Sequence, residues 1–445
     1  MSLRRAIVGV LLAGALLASA ACGGGGGDAQ PGETATAPGA SAEAPPASTA
    51  GSLTIWCWEA AADTLKVVDD DFKQAYPNIE FKYVLLEPAD VYRKIQLAVT
   101  AGGGFPDVSC IEDSHLAQFV ELGALADITD QVTPFLDQMN EYKWEQAQKD
   151  GRYYAMPWDS GPVAVFYRRD VFEKAGVDPA SIETWEDYYE AAKTIKEKTG
   201  VPMWPQPTGQ NDARLFEMLL WQQGIGYLDA DGNLTLDKDP RVEATLEFMG
   251  RFWREGLTAG QQWWTDPWYK ALANGQVATI VEAVWMGTFF KSFIAPEAEG
   301  KWGVMRLPTW ESGGSQASND GGSTLAIFEQ SEQKDAAWAY TRFHLGLEES
   351  QLAMYKQKDI FPSLETTYDD PFFGEPDPYF GGDEARALFA EVVKEIPNAT
   401  IYTPDYQLMN ELTSAEIQKF ALGRESAAEA LANAAETIRA RTGRS

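Results

Sequence analysis

The sequence predicts an α/β fold built on a parallel sheet. Two observations carry the prediction. Short apolar runs alternate with amphipathic helical stretches from Ser52 onward, and strand–helix–strand order is what builds parallel sheets. The chain also has 445 residues, 45% of them hydrophobic, enough for two domains with cores of their own.

The elements follow in order. SLTIWCWEA reads as a first strand. It leads into a helix over 63–76, with Leu65, Val68, Phe72 and Tyr76 on one face and Pro77 as its stop. IEFKYVLLE alternates as a second strand, and DVYRKIQLAVTAG is an amphipathic helix ended by Gly102-Gly103-Gly104. FPDVSCIED is a third strand. Ligands of such sheets bind beyond the carboxyl ends of the strands, where Trp58-Glu59 and Glu112-Asp113 stand. GPVAVFYRRDVFEKAG is a strand entering a helix. TWEDYYEAAKTIKEKTG is a helix with Thr184 as N-cap and Gly200 as stop. Further helices are expected over 214–223, 240–255, 268–274 and 427–441. GQVATIVEAVWMGTFF begins as a strand and turns polar and aromatic between Glu282 and Trp285. KWGVMRLP is a strand, SNDGGSTLAIFEQ a loop running into a strand, and KDAAWAYTRFHLGLEESQLAMYKQ a helix pair.

The formal charge of −30 leaves nothing to offset phosphate repulsion, so nucleic acid is excluded as a partner. With 2 His and 3 Cys, His/Cys metal sites and Ser–His or Cys–His catalysis have little to draw on. No cofactor or metal is expected, and His115 and His344 read as ordinary helix residues. Cys57 and Cys110 end two neighbouring strands. A disulfide and a pair of buried free thiols both stay open, with the spacing of parallel neighbours weighing against the bond.

The N-terminus is a targeting segment. Arg4-Arg5 precede the apolar run AIVGVLLAGALLASAA, which is short for a span of roughly 20 residues and ends in small residues before Cys22. SAAC resembles the lipobox of bacterial lipoproteins, with Ser19 where that pattern carries Leu. The resemblance implies a signal peptide over 1–21, lipidation of Cys22 and attachment to the outer face of the cell membrane. Residues 22–51, rich in Gly, Ala, Pro, Ser and Thr, read as a flexible tether with a reach of roughly 30 Å.

The segment between Asp150 and Gly176, DGRYYAMPWDSGPVAVFYRRDVFEKAG, crowds Tyr, Trp and Asp against the start of a buried strand. Its pattern, Asp-Gly-Arg-x-Tyr-x-x-Pro, then a strand ending Phe-Tyr-Arg-Arg-Asp, then x-Phe-x-Lys-Ala-Gly, resembles the signature of bacterial extracellular solute-binding proteins of the sugar-binding type. These serve ABC importers, and maltose-binding protein belongs to the same group. Phe105-Pro106-Asp107-Val108, NGQVATIVEAVWMGTF and KWGVMRLP followed by GGSTLAIFEQ continue the likeness across roughly 52–440. Asn319-Asp320 stand where many relatives carry an aromatic.

The resemblance implies two α/β lobes, 52–160 with 323–362 and 161–322 with 363–445, joined by crossing strands with the ligand cleft between them. It implies a monomeric receptor that closes on a mono- or oligosaccharide and docks on the permease of an ABC transporter. A sugar offers apolar C–H faces and a rim of hydroxyls, so a sugar cleft needs aromatic rings beside carboxylates and amides. The pairings available are Trp58-Glu59, Glu112-Asp113, Trp158-Asp159, Trp264 with Trp268, Glu282 with Trp285, Asn319-Asp320, and Tyr402 with Asp405. Trp158-Asp159 are expected on the cleft floor. Bland alternatives stand beside them: Trp56 as core, Glu112-Asp113 as a helix cap, QQWWTDPWY as a packed turn, TPDY as a plain turn. Two other functions are open: a glycoside hydrolase, which needs two carboxylates about 5 to 9.5 Å apart, and a receptor for a non-sugar ligand.

Overall fold

The computed structural model describes residues 44–209, 212–398 and 400–445. The expected signal peptide, Cys22 and most of the expected tether lie outside the described residues. Within the tether's expected range, the Pro45 carbonyl already accepts a hydrogen bond from the Tyr76 hydroxyl (3.1 Å), and the first strand begins at Gly51.

The strands are β1 (Gly51–Cys57), β2 (Ile79–Leu85), β3 (Val108–Glu112), β4 (Gln148–Lys149), β5 (Arg152–Tyr153), β6 (Met156–Asp159), β7 (Val163–Arg168), β8 (Thr279–Ala283), β9 (Trp302–Met305) and β10 (Ser323–Ile327). The first lobe carries a five-stranded sheet of order β2-β1-β3-β10-β6. β1 pairs in parallel with β2 and β3, as the alternation predicts. β10 runs antiparallel to β3 and β6, because it returns from the second lobe and enters the sheet where those two leave it, with Ser323 opposite both Glu112 and Asp159. The second lobe's sheet, β8-β7-β9, is antiparallel throughout. β4 and β5 form a hairpin whose Asp150-Gly151 turn has both residues at positive φ, 53° and 74°, the geometry two-residue hairpins prefer.

Three apolar cores follow from these sheets. One fills the first lobe. The other two lie on opposite faces of β7, whose alternation sends Val163, Val165 and Tyr167 to one and Ala164 and Phe166 to the other. The helix expected over 63–76 is broken into Glu59–Leu65, a tighter turn at Lys66–Val68, and Asp69–Ala75. Asp69, Asp70 and Asp71 favour a new helix start there, since acidic groups suit the positive end of the helix dipole. Thr184 caps helix Trp185–Thr199 with a full capping box through Asp187, and Gly200 ends it at φ 77°.

Cys57 and Cys110 are joined in a disulfide, which closes the choice left open above. The register that sets Trp56 opposite Ser109 brings the next pair opposite each other as well, with Cα atoms 5.0 Å apart. That falls inside the range a disulfide bridges, so parallel neighbours do accommodate the bond here.

Segments 159–163 and 319–323 cross between the two sheets, and 361–363 runs beside them. These segments hold one another: Asp320 N–H donates to the Gly161 carbonyl (2.9 Å), Ser160 N–H to Phe361 (3.0 Å) and Ser363 N–H to Trp158 (3.1 Å). A Cβ at Gly161 would collide with the Asp320 carbonyl, so only glycine permits this approach.

Candidate functional site

The crossings form the floor of a cavity of about 560 Å³ between the lobes. From the first lobe come Trp58, at the end of β1, Glu112, at the end of β3, Asp159, at the end of β6, and His115 on helix Asp113–Glu121. From the second come Arg214, Glu217 and Trp221 on helix Arg214–Trp221, Trp264, Trp285 and Phe289 on helix Trp285–Phe289, and Tyr402, Tyr406 and Asn410 near the start of helix Tyr406–Ala421. Asp320, Gly321 and Gly322 complete the floor. Across the mouth, the Gln407 amide donates to the Ser114 carbonyl (3.2 Å), a bond from one lobe to the other.

Aromatic rings dominate the second-lobe wall. Trp264 and Trp285 stack with centroids 6.2 Å apart, and Phe289 lies 6.0 Å from Trp264. Trp264 is 38% exposed and sits at φ 59°, a conformation that costs a bulky residue and persists at sites where the surroundings impose it. The indole N–H of Trp285 donates to the Asp320 carbonyl (3.1 Å), tying this wall to the floor.

Arg214 is the cation among the acids. Its guanidinium pairs with Asp320 (3.1 Å) and lies 5.8 Å from the Trp285 ring centroid. Burial works against its charge, but Asp320, Glu282, Asp212 and Glu112 outweigh that and hold it ionised. The same burial raises the carboxyls of Glu112, Asp159 and Asp212 above the ordinary range. Glu112 accepts from the Tyr92 hydroxyl (2.8 Å), which orients it. Burial holds the His115 imidazole down to about 4, so the ring is neutral and stacks on Tyr92 with centroids 3.7 Å apart.

Of the residues singled out from the sequence, Trp58, Glu112, Trp158, Asp159, Trp264, Trp285, Asp320 and Tyr402 line this cavity together. The remainder lie elsewhere. Glu59 is exposed outside it. Asp113 is buried in an ion pair with Lys143 below the floor, and burial pushes its carboxyl up to about 6 although Lys143 pulls the other way. Trp268 is wholly buried, 5.2 Å behind Trp264. Glu282 is buried behind Asp320, and burial together with that charge pushes it well above the ordinary range. Asn319 is buried in the crossing, donating to the Gly321 carbonyl (3.1 Å). Asp405 is paired with Arg444 (2.7 Å). Trp158, although it borders the cavity, is only 3% exposed and packs chiefly in the first-lobe core.

Sequence reasoning missed Arg214, Glu217 and Trp221, whose i, i+3, i+7 spacing puts all three on one face of an otherwise apolar helix. It also took His115 for an ordinary helix residue, whereas its ring reaches the cavity. Among the described residues no group of three or more His, Cys, Asp or Glu is placed to hold a metal ion.

Glu217 makes the site sensitive to pH. It accepts from the Tyr406 hydroxyl (2.8 Å) and the Asn410 amide (2.9 Å), yet burial pushes its carboxyl up to about 7. The folded chain therefore keeps a proton that the unfolded chain has released, and this stability is fully present below about 4.5 and lost as pH rises through about 7. Over that window the parent should lose about 3 kcal/mol relative to Glu217→Gln, which cannot ionise. Urea unfolding of both proteins between pH 4.5 and 8 checks this, and parallel pH profiles would contradict it.

Two hinged α/β lobes with an aromatic, acid-rich cavity between them define a two-lobed ligand-binding protein. The chain belongs to the bacterial extracellular solute-binding protein family, whose model matches residues 59–349. It is 30% identical over 407 residues to the arabinooligosaccharide-binding protein of Halalkalibacterium halodurans, covering 88% of this chain and 90% of that one. It is 28% identical over 386 residues to the lactose-binding protein of Rhizobium radiobacter, covering 83% and 88%. The ABC transporter associated binding protein of B. animalis subsp. lactis, solved in complex with beta-1,6-galactobiose, superposes with a TM-score of 0.74 at 26% identity, over 88% of this chain and 98% of that one. Membership in an extracellular family puts the site outside the cytoplasm, where the Cys57–Cys110 bond is permitted. No helix among the described residues is long and apolar enough to cross a membrane.

Proposed function

We propose that this protein is the extracytoplasmic receptor that delivers a sugar to the permease of an ABC importer. The observation that carries the reading is the exposed Trp264 ring standing in one cavity with Asp159, Asp320 and Arg214. The rings of Trp58, Trp264 and Trp285 cover the C–H faces of a sugar, while Glu112, Asp159, Asp212, Asp320 and Asn410 take its hydroxyls. Arg214, already neutralised by Asp320, donates to hydroxyl or ring oxygens rather than calling for an anion. The relatives support the class of ligand, since those named bind arabino-oligosaccharides, lactose and a galactobiose.

In this reading the lobes divide at the crossings, 52–160 with 323–362 against 161–322 with 363–445. Contacts from both lobes to one ligand drive closure, because only differential affinity shifts the equilibrium between open and closed forms. The ligand is bound and released unchanged, without metal or cofactor. The body works as a monomer, tethered to the membrane through lipidated Cys22.

A thermal-shift panel of arabino-oligosaccharides, lactose and beta-1,6-galactobiose tests the reading. A true ligand at 100 times its dissociation constant adds about 2.7 kcal/mol of stability. At least one of the panel should raise the melting temperature and be recovered intact after long incubation. No shift with any sugar would overturn the sugar assignment, and recovery of hydrolysed product would overturn the assignment as a binding protein.

A further inference from the structure

We propose that the aromatic stripe Trp285–Phe289–Phe293 carries the outward end of an oligosaccharide whose inner units fill the cavity. This rests on the sugar reading above and extends it from sugars in general to chains longer than the cavity encloses.

The three residues are spaced i, i+4, i+8, so they form one row along the helical surface. Their rings follow without a gap: Trp285 to Phe289 is 5.4 Å between centroids, and Phe289 to Phe293 is 5.3 Å. Trp264 flanks the inner end, 6.0 Å from Phe289, and Tyr269 flanks the outer end, 5.6 Å from Phe293. Trp285 and Phe289 are walls of the cavity, whereas Phe293 is outside it and 52% exposed. The winding loosens from Phe290 to Ile294 into an i→i+5 turn, a departure that recurs at functional sites.

An exposed Phe alone needs no explanation, since monomers show scattered apolar residues. Continuity is what commits this one. Phe289 is at once the middle ring of the stripe and a wall of the cavity, so a chain leaving the cavity on this side meets Phe293 next. The ends of the stripe are eight residue steps apart, about 12 Å of path at the helical rise. Apolar rings in a row suit successive C–H faces of a linear chain and ask nothing of its hydroxyl pattern. The stripe therefore rewards length, and the polar groups inside the cavity are left to choose the sugar.

Calorimetric titration with unbranched arabino- and galacto-oligosaccharides of graded length, from disaccharide upward, tests this on the parent, Phe293→Ala and Phe293→Trp. Affinity of the parent should climb with length. The loss in Phe293→Ala should grow from little on the shortest chain to about three- to tenfold on the longest, the size of one stacking contact. Phe293→Trp should keep the climb, and melting temperatures should stay close because the ring is half exposed. A flat length profile in the parent, or an undiminished climb in Phe293→Ala, overturns the stripe as a sugar track and leaves it to a protein partner. Binding of no chain at all by the parent overturns the sugar reading beneath it, and the track with it.

Discussion

Gly322→Ala should cost about 4 kcal/mol of stability or more, far beyond the usual penalty for a surface glycine. Two effects add. Gly322 sits at φ +107°, where any Cβ is strained by roughly 1–3 kcal/mol. The new methyl would also stand 2.6 Å from the Asp113 carboxylate and from the Lys143 ammonium, and 3.1 Å from the Asp159 carbonyl. Lys143 and Asp113 are buried to within 1% of full enclosure, and the ammonium also donates to the Ser323 carbonyl (3.2 Å). Prising apart such a pair leaves an uncompensated buried charge, a loss of about 3–5 kcal/mol. Gly321→Ala is the natural control. It too has positive φ, +75°, but its nearest neighbour is the Trp285 indole nitrogen at an ordinary 3.5 Å, so it carries only the backbone strain. Urea unfolding of both variants separates the terms. Equal losses would mean that the ion pair yields freely and that the crossing is not packed upon it.

The contrast shows what a sequence of this kind makes legible. Strand ends declare themselves: the apolar runs of β1 and β3 stop at Trp58 and Glu112, and both reach the cavity because ligand sites of parallel sheets lie beyond the strands' carboxyl ends, although their neighbours Glu59 and Asp113 turn away from it. The signature around Asp150–Gly176 located the crossing and hence Asp159. Arg214 was not legible. Nothing local marks one Arg at the head of an apolar helix, and its meaning comes from Glu112 and Asp320, each about a hundred residues away in the chain. Asp113 and Asp405 failed in the opposite sense. Each looks like a cleft carboxylate until Lys143 and Arg444 arrive from distant segments to neutralise it. Pairing of that kind is a tertiary fact, without a sequence period. The disulfide belongs here too. Both cysteines were visible at strand ends, but the choice between bond and thiols turned on a Cα separation that only the register sets.

Trp158→Ala and Trp264→Ala should fail in opposite ways. The two indoles look alike in the sequence, each beside an acid or near one. In the fold Trp158 shares the core face of β6 with Met156, two residues before it, and both are buried among the first-lobe side chains. Removing that ring opens a cavity in close-packed surroundings, so Trp158→Ala should lose about 3–5 kcal/mol of stability. Its sugar affinity, measured where the variant remains folded, should fall less than that of Trp264→Ala, because almost none of the ring faces the cavity. Trp264 is the reverse case. It rests on Trp268 and Trp285 with more than a third of its surface open, so its loss should change stability by no more than about 1 kcal/mol. Affinity should drop by about tenfold or more, the stacking surplus plus the apolar area no longer covered. Unfolding and calorimetric titration of the same two variants decide the matter. A Trp158→Ala protein that melts like the parent but binds sugar worse than Trp264→Ala would make Trp158, not Trp264, the cavity's principal platform.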